Sequence, residues 1–141
     1  MKKPTILLVD DEKQFTDIFA QFLSERFNAD ILVKRTVKEG IEVLDKQKVD
    51  VLFQDMVLPG PSGEKVIDHI KSRKLIDEMI VFIISKWNED AQTQKFESYD
   101  VKYIPKPISL AATQKVLSEE FKANGGFDYK KKLEIKRKNE C

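Results

Sequence analysis

The sequence has almost no cysteine and no long apolar run. Cys141, the last of 141 residues, is the only cysteine, so the chain cannot form an internal disulfide, as is usual in a reducing compartment. The longest apolar runs, Ile6–Val9 and Ile80–Ile84, are too short to cross a bilayer, and the N-terminus lacks the apolar core of a secretory signal. We therefore expect a cytoplasmic protein of one domain with no membrane segment.

An excess of charge of one sign is also missing, since 25 basic residues face 24 acidic ones. The exception is the C-terminus, where residues 127–141 contain six basic and three acidic side chains. We interpret residues 1–124 as the folded domain and residues 125–141 as a basic tail or the start of a linker. The folded part offers no general basic surface for nucleic acid, so we expect no DNA-binding domain in this chain.

What the sequence does contain is an alternation of short apolar segments and amphipathic segments. Strands are predicted at Thr5–Val9, Ile31–Val33, Val49–Phe53, Met79–Ile84 and Val101–Ile104. Helices are predicted at Glu12–Arg26, from the capping box Thr36–Glu39 onward, around Val66–Ile70, at Asn88–Tyr99 and from Ser109 to about Asn124. Five strands separated by helices predict an α/β fold with a parallel sheet covered on both faces.

Polar residues of complementary chemistry follow four of the predicted strands. They are Asp10 and Asp11 after the first, Asp55 after the third, Ser85 after the fourth and Lys106 after the fifth. Each residue alone is typical of a turn or a helix cap. Because ligands of open α/β sheets bind outside the carboxyl ends of the strands, the whole set indicates a functional site.

Three carboxylates at one edge would repel each other, and Lys106 supplies only one compensating charge. An all-oxygen cluster of this kind suits a hard divalent cation, above all Mg²⁺. A metal beside an ammonium group and a hydroxyl is suited to phosphoryl transfer, in which one carboxylate can be the nucleophile.

Three motifs resemble those of the receiver domain of two-component response regulators. ILLVDDE resembles its acidic pair, DMVLPGPSG its phospho-acceptor loop and YIPKP its lysine-proline turn, and the resemblance runs from about Lys3 to Lys122. It implies a doubly wound, flavodoxin-like sheet of five parallel strands in the order 2-1-3-4-5, surrounded by five helices.

The resemblance also implies a role for each residue of the site. Asp55 would be the phosphorylated aspartate, and Asp11 and Asp55 would bind Mg²⁺ together with the backbone carbonyl of Val57. Asp10 would act mainly through metal-bound water. Lys106 would pair with the phosphoryl group, and the Lys106–Pro107 peptide bond would be cis.

Two further residues would transmit the signal. Ser85 would be the switch hydroxyl that bonds the phosphoryl oxygen, and Tyr103 the coupled aromatic that changes rotamer. The donor would be a sensor histidine kinase or a histidine phosphotransfer protein. The output would be a downstream protein partner or a self-dimer at the surface of the fourth predicted helix, the fifth strand and the fifth predicted helix (residues 88–122). Such a protein is no turnover enzyme, because it catalyses only its own phosphotransfer and autodephosphorylation.

Two residues depart from the family pattern. Lys86 stands where a small residue usually follows the switch hydroxyl; it either points to solvent or modulates the site, and we favour the second, with slower dephosphorylation of Asp55. Gln54 is polar where strand burial predicts an apolar residue, and either bonds near the sheet edge or faces a partly wet helix. The alternative function is a degenerate receiver that binds partners without phosphorylation because Lys86 crowds its site.

Other classes of protein fit the sequence less well. A flavin- or nucleotide-binding protein would need a Gly- or Ser/Thr-rich loop after the first strand, where this chain has Asp10, Asp11 and Glu12. A haloacid-dehalogenase-type phosphatase would need a second aspartate two residues after Asp55, where this chain has Val57.

Overall fold

The computed structural model describes residues 3–85 and 100–123, which contain a five-stranded sheet. The strands are Thr5–Val9 (β1), Asp30–Lys34 (β2), Val51–Asp55 (β3), Ile80–Ser85 (β4) and Val101–Pro105 (β5). All neighbouring strands run parallel, in the order β2-β1-β3-β4-β5. The predicted fold class and strand order are therefore confirmed.

Four α-helices lie within the described residues. They are Lys13–Arg26 (α1), Val37–Lys46 (α2), Glu64–Ser72 (α3) and Leu110–Ala123 (α4), and a 3₁₀ turn covers Ile76–Glu78. The helix predicted at 88–99 and the basic tail lie outside the described residues, so α4 is the fifth predicted helix. Of the helices described, none combines the length and the apolar character that a membrane crossing requires.

The sheet separates two apolar layers, because successive side chains of a strand point to opposite faces. Leu7 and Val9 of β1 pack on the side of α2 and α3, whereas Ile6 and Leu8 pack on the side of α1 and α4. All four side chains are fully buried. Burial on both faces explains why β1 is a continuous apolar run.

Thr36 caps α2 as the sequence predicts, and Ser109, where the last helix is predicted to begin, caps α4. Thr36 Oγ1 accepts a hydrogen bond from the backbone N–H of Glu39 at 3.1 Å, and the Thr36 hydroxyl donates to Glu39 Oε1 at 3.0 Å. Ser109 Oγ accepts from the backbone N–H of Ala112 at 3.2 Å. Both caps satisfy N–H groups that the first helical turn leaves without an intrahelical acceptor.

The predicted end of the third strand was wrong. The sequence predicts Val49–Phe53, but β3 runs from Val51 to Asp55, because its pairing with β4 continues through Gln54 opposite Ile83 and Asp55 opposite Ile84. Asp55 is therefore held within the sheet, and not in the loop that follows.

Candidate functional site

The carboxyl ends of the strands bring the predicted site residues to one edge of the sheet. Asp10 directly follows β1, Asp55 is the last residue of β3, and Lys106 directly follows β5. Carboxylate oxygens of Asp10, Asp11 and Asp55 all lie within 4.8 Å of one another. The parallel topology thus assembles an acidic cluster from residues that are up to 45 positions apart in sequence.

Asp10 is completely buried, yet only one of its oxygens is hydrogen-bonded within residues 3–85 and 100–123. Oδ1 accepts from the backbone N–H of Glu12 at 2.9 Å, whereas Oδ2 has no hydrogen-bond partner and lies 3.3 Å from Lys106 Nζ. Burial, with a smaller contribution from the charge of Asp55, raises the pKa of Asp10 from 3.8 to about 6. The Lys106 ammonium opposes both effects only in part, and a divalent cation beside Oδ2 would oppose them further.

Asp55 is oriented by a donor at each carboxylate oxygen. The backbone N–H of Val57 donates to Oδ1 at 3.1 Å, and Lys106 Nζ donates to Oδ2 at 3.1 Å. The residue is only 3% exposed. Its carboxylate is therefore fixed in one orientation at the centre of the cluster.

Lys106 is the common cation of the cluster. Besides Asp55 and Asp10, its Nζ lies 3.7 Å from Glu12 Oε1 and 5.7 Å from the centre of the Phe15 ring. Burial lowers the pKa of Lys106, but the hydrogen bond and charge of Asp55, with the charges of Asp10 and Glu12, outweigh burial and raise it overall. The Lys106–Pro107 peptide bond is cis, as the resemblance implies.

The loop after β3 depends on two glycines. Gly60 has φ +79°, a backbone conformation that residues other than glycine rarely adopt. Gly63 has an ordinary helical backbone, but a Cβ there would collide with the carbonyl oxygen of Asp55. Gly63 is required because the start of α3 lies directly against the end of β3. Val57, which lies between Asp55 and Gly60 in this loop, is 59% exposed.

The polar side chain of Gln54, which the sequence places in a strand without identifying its partner, bonds to the backbone of the next residue. This side chain is fully buried, and Nε2 donates to the carbonyl oxygen of Asp55 at 2.8 Å. The first alternative, a hydrogen bond near the sheet edge, is confirmed. Glu12 and Phe15, which both contact Lys106, were not predicted; the only sequence signal was that Glu12 extends the acidic pair.

Of the two predicted switch residues, Ser85 is bonded to the cluster through the backbone of Lys106, and Tyr103 lies three residues before Lys106 on β5. Ser85 ends β4, and its carbonyl oxygen accepts from the backbone N–H of Lys106 at 2.7 Å. Tyr103 lies on β5 opposite Ile83 and is 38% exposed. Lys86 lies outside the described residues, so its modulating role stays a prediction.

The residues present fit a divalent cation. The cluster offers carboxylate oxygens only, which is the donor set that Mg²⁺ prefers. The cluster has three carboxylates, and the carboxylate of Glu12 lies nearby. Among the described residues, Lys106 is the one positively charged side chain within 4 Å of these groups. Oδ2 of Asp10 is a buried acceptor that has the Lys106 ammonium nearby but no hydrogen bond among the described residues.

Comparison with known proteins agrees with this geometry. The sequence profile of the response regulator receiver domain matches residues 6–118. A regulatory protein VanR from Enterococcus faecium is 29% identical over 127 residues, which are 86% of this chain and 52% of that protein. A phosphate regulon transcriptional regulatory protein PhoB from Pseudomonas aeruginosa is 32% identical over 106 residues, or 74% of this chain and 46% of that protein.

Longer relatives and solved structures complete the comparison. A probable cyclic di-GMP phosphodiesterase from Vibrio cholerae is 31% identical over 107 residues, covering 75% of this chain and 24% of that protein. The chain thus spans between a quarter and about half of these curated relatives. The receiver domain of a putative LuxO repressor from Vibrio parahaemolyticus has the same fold, with a TM-score of 0.76, 23% identity and coverage of 94% of this chain and 95% of that one.

Proposed function

The chain belongs to the response regulator receiver family of two-component signalling, and on that premise we propose that Asp55 accepts a phosphoryl group in a Mg²⁺-dependent reaction. The donor is a sensor histidine kinase or a histidine phosphotransfer protein. Receiver domains are signalling modules and not metabolic enzymes, so the product is the phosphorylated protein itself.

The observation that carries this proposal is the environment of Asp55. Its carboxylate is nearly buried, held by Val57 N–H and Lys106, and adjacent to the acidic pair Asp10 and Asp11. A nucleophile needs a fixed orientation, and a phosphoryl group needs cations for its oxygens. Both requirements are met at this one side chain.

In the transfer step, a lone pair of an Asp55 carboxylate oxygen forms the new bond to phosphorus. The bond from phosphorus to the donor's imidazole nitrogen breaks, and its electron pair passes to that nitrogen. Lys106, already within hydrogen-bond distance of Asp55, neutralises charge on a phosphoryl oxygen. Mg²⁺, when held by Asp11, Asp55 and the Val57 carbonyl with Asp10 nearby, supplies further neutralisation of the phosphoryl oxygens.

An apolar groove beside Lys106 supports docking of the donor on this side of the molecule. The groove has a volume of about 650 Å³ and is lined by Glu12, Phe15, Ile18, Phe19, Lys106, Pro107, Ile108 and Leu110. Ile18 on α1 is 61% exposed, although it is a large apolar side chain. Exposed apolar surface next to a reactive group is typical of a protein interaction site.

Phosphorylation would be read through β4 and β5. Ser85 is joined to Lys106 through its backbone, and Tyr103 lies two residues before Pro105, the register partner of Ser85. Movement of the Ser85 hydroxyl toward the phosphoryl group would be coupled to an inward rotamer of Tyr103. The output surface is β5 and α4, already joined by the ion pair Lys102–Glu120, together with residues 88–99.

The test is incubation of the protein with Mg²⁺ and acetyl phosphate or beryllofluoride, followed by intact mass and Trp87 fluorescence. Wild type is expected to gain one phosphoryl group with acetyl phosphate, and to change fluorescence with either reagent. Asp55→Asn is expected to do neither. Asp50→Asn is the matched control, because Asp50 is a buried carboxylate at the opposite end of β3. If wild type accepts no phosphoryl group but still binds partners, the degenerate receiver replaces this proposal.

A further inference from the structure

A half-satisfied amide lies in the apolar layer directly before Asp55. Gln54 has no exposed surface, and its register neighbours are Val9 on β1 and Ile83 on β4, both buried apolar residues. Nε2 has an acceptor, but Oε1 has no hydrogen-bond partner in the described part of the chain. Burial of an unpaired polar atom lowers stability, and an apolar side chain would avoid that cost. Stability of the core therefore does not explain why glutamine is found here.

The hydrogen bond that Gln54 donates lies where the backbone pairing between β1 and β3 ends. The pairing of β1 with β3 ends at Val9 and Gln54, and the backbone N–H of Asp10, which directly follows β1, donates to Lys34 on the side of β2. The buried carbonyl of Asp55 therefore receives no donor from β1. The Gln54 amide supplies that donor at 2.8 Å.

The same amide also borders the start of α3. A Cβ on Gly63 would lie 2.9 Å from Gln54 Nε2 and 2.9 Å from Met56 Cα, so these groups pack closely. The backbone N–H of Gly63 donates to the carbonyl of Met56 at 3.1 Å. The Gln54 amide thus bonds Asp55, the residue before the loop over residues 56–63, and lies close to Gly63 at the end of that loop.

We propose that Gln54 is a positioning residue for the acceptor site. By holding the Asp55 carbonyl against Gly63, it fixes the loop that carries Val57, and with it the oxygen atoms available to Mg²⁺. This inference rests on the proposed function, since it assigns Gln54 a role in the same metal-dependent acceptor site. The unpaired Oε1 of Gln54 lowers the stability of the core, but the hydrogen bond of Nε2 orders the loop on which the acceptor site depends.

The first experiment uses metal-free protein and the substitution Gln54→Met, which keeps the length of the side chain but removes its donor. Hydrogen exchange is measured at the amides of Met56, Val57 and Gly63, whose acceptors are Ile84, Asp55 and Met56. Exchange is expected to be at least about tenfold faster than in wild type. Leu52→Met is the matched control, because Leu52 is fully buried on the same face of β3 two residues earlier. Equal acceleration in both variants would overturn the proposal.

The second experiment is calorimetric titration of the same variants with Mg²⁺. Gln54→Met is expected to bind Mg²⁺ about 5- to 20-fold more weakly than wild type, and Leu52→Met within about twofold of it. If Gln54→Met bound Mg²⁺ with an affinity within twofold of wild type and its amide exchange rates were unchanged, Gln54 would not be a positioning residue. Unfolding of both Gln54→Met and Gln54→Leu, seen by circular dichroism, would also refute it, because the role of Gln54 would then be structural. Failure of wild type to bind Mg²⁺ would instead refute the proposed function, and the exchange measurement would still decide the role of Gln54.

Discussion

The side chain of Lys106 donates a hydrogen bond to the carboxylate of Asp55 across 51 positions of sequence, with 3.1 Å between Nζ and Oδ2. The same nitrogen lies 3.3 Å from Oδ2 of Asp10. One ammonium group is thus shared by two buried carboxylates before any phosphoryl group arrives. Because charges act strongly in a buried site, this arrangement makes Lys106 both a structural counterion and a candidate phosphoryl ligand.

Substitution of Lys106 by methionine tests this double role. Lys106→Met keeps most of the apolar side chain but removes the charge, so the rate of Asp55 phosphorylation by acetyl phosphate is expected to fall about 10- to 100-fold. Lys102→Met is the matched control, because Lys102 lies on β5 and pairs with Glu120 away from the cluster. Equal phosphorylation rates in the two variants would show that Lys106 has no catalytic part.

Binding of Mg²⁺ is expected to stabilise the fold. At Mg²⁺ concentrations about ten times the dissociation constant, linkage predicts a gain of about 1.4 kcal/mol, which raises the melting temperature by about 2–6 °C. Asp11→Asn should remove most of this rise. Asp17→Asn should keep it, since Asp17 is an exposed residue of α1 paired with Lys13. A rise that NaCl of equal ionic strength reproduces would argue against a specific site.

The two loop glycines are expected to differ in their effect on the site. Gly63→Ala forces a Cβ against the Asp55 carbonyl, which should lower the unfolding free energy by about 1–3 kcal/mol and also weaken Mg²⁺ binding. Gly60→Ala should cost about 1 kcal/mol through its positive φ alone, because nothing lies within 4 Å of its Cβ position. Denaturant unfolding and Mg²⁺ titration of both variants separate the two effects. Unchanged Mg²⁺ binding by Gly63→Ala would contradict the predicted contact.

A hydrogen bond between α2 and α3 predicts a pH effect outside the site. His69 lies with Nε2 2.8 Å from Asp45 Oδ1, and this hydrogen bond lowers the pKa of Asp45 below 3.8. A lowered folded-state pKa stabilises the fold above pH 3.8, and this stabilisation is lost as the pH falls through the lower value.

Melting temperatures of wild type and Asp45→Asn between pH 3 and pH 6 test this effect. Wild type is expected to be the more stable at pH 5, and the difference should shrink as the pH falls below 3.8. Asp68→Asn on α3 controls for the loss of one negative charge. A difference that does not change with pH would rule out the effect of this pair.

Lys86 allows a prediction from sequence alone. If it adds a cation near the phosphoryl group or restricts access of water, Lys86→Ala should shorten the half-life of phosphorylated Asp55, by about threefold or more. Lys86→Arg keeps the charge and should remain near wild type. The measurement is loss of the phosphorylated mass over time after removal of acetyl phosphate, and equal half-lives would dismiss the idea.

The fold and most of the site could be predicted from the sequence, because both depend on local patterns. A strand buried on both faces must be apolar along its length, and the Thr36–Glu39 cap marks the start of a helix in the sequence itself. The parallel topology then places the residues after the strands at one edge. Asp10, Asp55 and Lys106 were therefore grouped correctly before any distance was known.

Other features depended on the tertiary structure. The sequence places the end of the third strand at Phe53, because polarity is its only local signal, whereas pairing with β4 carries the strand to Asp55. The partner of the Gln54 amide depends on where the β1 ladder stops, and the need for glycine at position 63 depends on how closely α3 approaches β3. Sequence alone determined which chemical groups this protein has at the sheet edge. Only the tertiary structure decided which of them touch, because register and helix approach are set by packing between distant segments.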